Sequence, residues 1–247
     1  MFRGFREGTK TPPPQLSPQG GGRPTASLFP EKPDLTHRPI LRIPGITELP
    51  PSGAGMRIGL FGGSFNPVHE GHRLVAEQTL QRLGLDAIWI LVTPGNPLKD
   101  QSDLAPLADR VRATREVMDH PRIRVTGFEA AHGFTYSWQT IMFLKKTMKN
   151  RHFVWIMGAD NLINFHHWER WQDISRMLPM AVYVRPGSSR RAPVSLAATA
   201  LAKYRIDEDD AGQLATQPPP AWTYLHGLTS PLSSSAIRAR HRRQQTK

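Results

Sequence analysis

Cysteine is absent from this 247-residue chain. Disulfides, thiolate metal sites and thiol nucleophiles are therefore excluded, in agreement with a reducing compartment. No apolar run approaches the roughly 20 residues that span a bilayer, and the N-terminus MFRGFREGTKTPPP lacks the apolar core of a secretory signal. The expected compartment is the cytoplasm, with no membrane partner. No serine, histidine and acid stand in a pattern that suggests a triad, and no carboxylate cluster suggests a dedicated metal site. Aromatic platforms interleaved with basic residues are missing too, although the net charge is +12. The cations are spread over the N-terminal segment, Arg185, Arg190 and Arg191, and a tail from Arg238 to Arg243. A field that attracts nucleotides accounts for them, so no dedicated nucleic-acid partner is expected.

What is present divides the chain unevenly. Residues 1–55 hold 11 of its 23 prolines and a Gly20-Gly21-Gly22 run. Such a segment buries too little apolar surface to offset its ordering entropy, and a disordered extension is expected, with a short extended stretch at PILRIPGI. Met56, just before the first apolar run, is an alternative start. From residue 56 to 243, β-rich runs alternate with helical periodicity, and 244–247 form a tail. The expected strands are MRIGLFG from Met56, AIWILV from Ala87, RIRVT from Arg122, HFVWIMG from His152, MAVYVR from Met180 and WTYLHG from Trp222. Helical stretches fall near 72–83, 106–119, 137–149, 168–177 and 233–243. In the second, Leu107, Val111, Arg115 and Met118 share about one face. Ser188 to Pro220 reads as a variable surface connection. Strands separated by helices imply parallel pairing with right-handed crossovers, hence an α/β fold with a doubly wound, Rossmann-like parallel sheet. Ligands in such sheets sit at the carboxyl ends of the strands.

The most informative run is GLFGGSFNPVHEGH, Gly59 to His72. A strand, a turn with the glycine pair Gly62 and Gly63, then Ser64 and Phe65, lead to the start of a helix. Helix-terminal N–H groups and the helix dipole favour an anion there, and glycine lets a phosphate approach closely. His69 and His72 add donors aimed at the same place. Taken singly, a glycine pair is only a turn, and His-x-x-His is half a metal site without an evident third ligand.

Near the C-terminus, SPLSSSAIRAR places Ser233, Ser234 and Ser235 before a helical start, with Arg238 one turn further on. The hydroxyls can simply cap the helix. The same arrangement offers hydroxyls, N–H groups and a guanidinium to a polyphosphate. In GADNLINFHHWERW, Gly158 ends a strand and Asp160 is placed either to receive a ribose or to cap a helix. Trp168 and Trp171 can both be core, a reading favoured for Trp171, and His166 and His167 are expected at the surface or behind the site.

The GGSFNPVHEGH and SSSAIR elements resemble the signature of the nucleotidyltransferase superfamily. With TPGNPLK, FTYSWQT, GADNLINFHHWERW and AVYVRPG in one order, residues 56 to 240 resemble the bacterial nicotinate-nucleotide adenylyltransferases. The resemblance implies transfer of AMP from ATP to nicotinate mononucleotide, giving deamido-NAD and pyrophosphate, with Mg²⁺ carried by the ATP. It assigns His69, His72 and Arg238 to catalysis, and Gly62, Gly63, Ser64, Phe65, Gly158, Asp160 and Ser233 to Ser235 to ATP. It assigns Asn96, Lys99, Ser137 and Trp168 to the acceptor, with the Trp168 ring stacked on the pyridine. Asn66 stands where many members have Asp, and Ser235 where Thr is common. Rival readings are a relative acting on nicotinamide mononucleotide or another phosphate acceptor, and a nucleotide- or RNA-binding module without catalysis. A homo-oligomer stays open.

Overall fold

The computed structural model describes residues 39–95, 102–184 and 191–227, together with Ser234, Ile237 and Arg238 of a C-terminal helical segment. Six strands form one sheet: β1 (Arg57–Gly63), β2 (Ala87–Val92), β3 (Ile123–Thr126), β4 (His152–Gly158), β5 (Met180–Tyr183) and β6 (Trp222–Leu225). Their order is β3-β2-β1-β4-β5-β6 and every neighbouring pair is parallel. The expected doubly wound sheet is the one found. The order reverses between β1 and β4, and the crevice at that reversal is where ligands reach such sheets.

Helices cover both faces, which is why the strands read as continuous apolar runs. On one side, Val75, Ala76 and Leu80 of α1 (Glu70–Arg82) and Val111 of α2 (Leu107–Val117) pack with Phe61, Ile88, Ile90 and Ile156. On the other, α4 (Ser137–Thr147), α5 (Ala159–Asn164) and α6 (Trp171–Met177) bury Ile141, Leu144, Leu162 and Ile174 against Leu60, Trp89 and Trp155. A Cβ on Gly59 would lie 2.5 Å from Ile156 Cδ1 and 2.8 Å from Leu85 Cδ1, so these core side chains fill the space that a larger residue would need. α1 ends in a Schellman turn. Leu85 N–H donates to Leu80 C=O at 3.0 Å and Gly84 N–H to Gln81 C=O at 3.1 Å. Gly84 takes the left-handed conformation this turn requires, at φ 56°.

Four expectations need correction. Residues 39–55, read as part of a disordered extension, pack along the β3 edge. Leu41 N–H donates to Ala130 C=O at 2.9 Å, Gly127 N–H to Ile46 C=O at 2.8 Å, and Thr126 Oγ1 to Glu48 C=O at 2.6 Å. Ile46 and Thr47 are buried. The strap's isoleucine and leucine residues find a sheet edge to cover, which proline content alone does not reveal. On α2 the inward face is Leu107, Arg110, Val111 and Thr114, with Met118 at its cap. Arg115 instead reaches outward to Gly45 C=O at 2.6 Å and Val125 C=O at 3.1 Å. Trp168 is extended rather than helical, with ψ 139°, and the helix begins only at Trp171. The region expected as a surface connection contains α7 (Leu196–Ala200), and Ala192, Ala197, Ala198 and Leu214 are buried. Its small alanines fit tightly against the sheet-covering helices and so look unlike a typical apolar stripe. The periodicity also missed α3 (Phe128–Ala131) and α5, each too short to show a repeat.

Candidate active site

The carboxyl end of β1 forms the first wall. After Gly62 and Gly63 the chain turns through Ser64 and Phe65 to a cis Asn66–Pro67 bond. Phe65 has φ 46°, a region a bulky side chain seldom adopts, and it is 2% exposed. Its ring meets Phe61 edge-on at 5.7 Å and His72 at 5.0 Å. Packing holds this turn in its strained form. The ring of Phe65, assigned from its motif to ATP, is thus a buried anchor of the turn.

His69 is the extended N-cap of α1, and His72 lies one turn later. Their rings are 3.9 Å apart, and His72 Nδ1 accepts the His69 backbone N–H at 3.3 Å. This hydrogen bond fixes the orientation of the His72 ring against the start of α1. His69 itself is buried at 6% exposure.

The far end of the chain joins this turn. Arg238 Nη1 donates to Asn66 C=O, and Ser234 Oγ donates to Pro67 C=O at 2.9 Å. Pro67 precedes His69 by two residues, so the C-terminal serine and arginine and the two histidines border one turn. Ser233, Ser235, Asn96 and Lys99 lie outside the described residues.

β4 supplies the second wall. Gly158 is buried, ends the strand and is itself the N-cap of α5. Asp160, one of whose readings was a cap, is therefore an exposed first-turn residue after the end of β4, and the capping alternative falls away. Ser137 is the first residue of α4 and is half-buried. Trp168 is half-buried and set edge-on against Trp155 at 6.3 Å and Phe165 at 5.4 Å. Trp155 also touches the first wall, since a Cβ on Gly62 would stand 3.2 Å from its Cη2. One indole thus spans from the glycine turn to Trp168. Trp171 packs on Phe165 at 5.8 Å, as core.

The sequence reading missed two features. Arg170, left-handed at φ 54°, places its guanidinium 4.6 Å from the Trp138 ring centre and ties the segment after Trp168 to the start of α4. Its ion pair with Asp173, at 2.7 Å, holds that carboxyl below its ordinary range. Buried Arg110 binds the carbonyls of Ser64 and Thr93, each at 2.8 Å. Arg110 shares the i, i+3, i+4 spacing of Leu107, Val111 and Thr114, but an arginine at such a position reads equally as a solvated side chain. No group of three or more histidine or acidic side chains suited to a metal occurs among the described residues. Nor is any helix among them long and apolar enough to cross a membrane.

A parallel sheet in this order, with a glycine turn, two histidines and a distant arginine at its reversal point, is the arrangement of a nucleotidyltransferase. Residues 60–240 match the cytidylyltransferase-like family. More specifically, the chain belongs to the nicotinate-nucleotide adenylyltransferase family. It is 52% identical over 184 residues to the "Probable nicotinate-nucleotide adenylyltransferase" of Rhizobium meliloti, covering 74% of this chain and 98% of that protein. It is 51% identical to the protein of that name from Agrobacterium fabrum, covering 76% and 100% of the two chains. For the Methylorubrum extorquens protein so named the identity is 54%, covering 75% and 100%. The fold matches the solved structure of Plasmodium falciparum nicotinic acid mononucleotide adenylyltransferase with a TM-score of 0.55 at 16% identity, covering 74% of this chain and 82% of that one.

Proposed function

We infer that this chain transfers AMP from MgATP to nicotinate mononucleotide, forming deamido-NAD and releasing pyrophosphate, in the cytoplasm. The observation that carries the reading is the meeting of Arg238 and Ser234 with the Asn66–Pro67 turn beside His69 and His72. The names of the relatives at about half identity support the acceptor. The Plasmodium enzyme was solved complexed with NaAD and, separately, with APC.

An oxygen of the acceptor's phosphate attacks the α-phosphorus, the bond to the bridging oxygen breaks, and pyrophosphate leaves with that oxygen. The acceptor phosphate is already a nucleophile near neutral pH, so no protein nucleophile is required. The protein's work is in-line positioning and stabilisation of charge on the α-phosphate and the leaving group. To the triphosphate we assign Gly62 and Gly63 at the end of β1, the turn through Ser64 and Phe65, the two histidines, Arg238 and the Ser233 to Ser235 hydroxyls. Mg²⁺ arrives with ATP, bound mainly by phosphate oxygens and water. Asp160 receives the ATP ribose. Ser137 and the backbone after Trp168 hold the nicotinate carboxylate while the Trp168 ring stacks on the pyridine, with Asn96 and Lys99 on the acceptor's approach.

The test is pyrophosphate release from ATP and Mg²⁺ with nicotinate mononucleotide, nicotinamide mononucleotide, phosphopantetheine or glycerol phosphate as acceptor. The expected result is a far higher kcat/KM with the first. A preference for another acceptor, or no release with any, overturns the assignment.

A further inference from the structure

Arg110 sits in the first turn of α2 and is only 4% exposed. A guanidinium withdrawn so far from water must have its N–H groups satisfied by protein. Its Nε donates to Ala105 C=O, and its Nη1 donates to both Ser64 C=O and Thr93 C=O, each at 2.8 Å. These carbonyls belong to the turn after β1, the residue after β2, and the last residue before Pro106 opens α2. Asn66 makes a second tie across the same gap. Its Nδ2 donates to Asp103 C=O at 2.8 Å, and its Oδ1 accepts from Ala105 N–H at 3.3 Å. An aspartate at that position would lack the donor. The ladder itself reaches this point, since Thr93 N–H donates to Gly63 C=O at 2.9 Å.

We propose that Arg110 is a positioning residue that locks the glycine turn to both ends of the β2–α2 connection, so that the turn's N–H groups are aimed before substrate arrives. Preorganised donors stabilise developing charge without reorganising during the reaction. The planar fork reaches Ala105 on one side and Ser64 with Thr93 on the other at once. A lysine ammonium, as a point donor, cannot. The catalytic consequence rests on the adenylyltransferase reading, whereas the mechanical one does not.

Arg110→Lys, Asn66→Ala and the core control Val111→Ala are compared by hydrogen exchange of segments 62–66 and 102–105 and by steady-state kinetics with ATP and nicotinate mononucleotide. The expected result for Arg110→Lys is faster exchange in both segments and a kcat at least tenfold lower at saturating substrates. Val111→Ala should lower Tm with neither effect. Wild-type exchange in both segments of Arg110→Lys, or a kcat loss no greater than that of Val111→Ala at matched Tm, overturns the proposal. Should Arg110→Lys fail to fold, Arg110→Gln decides it with Asn66→Ala, which keeps Arg110, as the baseline: exchange at 62–66 faster than that baseline supports the lock, and no excess overturns it. Should the wild-type chain release no pyrophosphate with any acceptor, the functional reading fails while the exchange comparison still decides this one.

Discussion

His72 shows how one side chain can be held for use. Its Nδ1 is engaged by the His69 backbone N–H and its ring is packed edge-on by Phe65, so the ring has little choice of direction. Removing one well-placed transition-state donor costs on the order of 10²-fold in kcat. His72→Ala should show at least ~10² lower kcat with a nearly unchanged Tm, and near-normal turnover would make this imidazole structural. Trp168 is the residue proposed to stack on the acceptor's pyridine. Base–aromatic stacking is worth about 1–3 kcal/mol, so Trp168→Ala should raise KM for nicotinate mononucleotide roughly tenfold and leave KM for ATP much less affected. Equal rises for both substrates would remove the stacking role. The meeting of the histidines with Arg238 at one turn was legible here because both motifs restrict residue type. Arg170 and Arg110 were not, because arginine on a helix or loop looks the same whether it faces water or a carbonyl.

Among the elements, the strap of residues 39–55 is the least expected. It is tied at Leu41, Ile46 and Glu48 to the β3 side, at Gly55 to Asn150 C=O at 2.6 Å, and at Ser52 C=O by Arg151 at 2.8 Å. It covers an edge strand that would otherwise present unpaired backbone. Ile46→Ala removes a buried side chain, a change typically worth about 2–5 kcal/mol, with local detachment of the strap setting the upper limit. A chain beginning at Met56 should fold yet unfold several degrees lower, since each kcal/mol shifts Tm by about 2–4 °C at this size. Identical melting of the two chains would show the strap to be energetically idle. Strands were the easiest elements to read, because burial on both faces leaves almost no polar interruption. Short helices such as α3, α5 and α7 complete too few turns for a 3.6-residue period to appear.

For the whole molecule, pH sets the stability through a few tied carboxylates. Hydrogen bonds and charge from Arg57, led by its backbone N–H at 2.8 Å, hold Asp86 below its ordinary value. Burial would raise Glu208, but hydrogen bonds from His226 and Arg82 outweigh it and the net shift is downward. A carboxyl depressed in the folded state contributes fully above its unfolded pKa of about 4, and that contribution is lost as pH falls through the folded value. The urea midpoint should therefore fall below about pH 4. Asp86→Asn, which keeps an oxygen for the Arg57 N–H but cannot titrate, should flatten part of that fall. An unchanged acid limb would show that this pair carries no linkage. Burial raises Tyr183 and Tyr224, so alkaline loss should begin where unfolded tyrosines ionise, at about pH 10.

Local pattern alone determined the strands and their parallel sense, because each depends on residue type within one strand or the helix that follows it. The tertiary structure alone decided which atoms of Arg238 and Ser234 meet Pro67 and Asn66 across more than 160 positions, that Arg110 faces inward, and that the strap belongs to the fold. Those are contacts between distant segments, set by which faces the sheet and helices leave to be filled, and periodicity along a chain carries no record of which segment fills them.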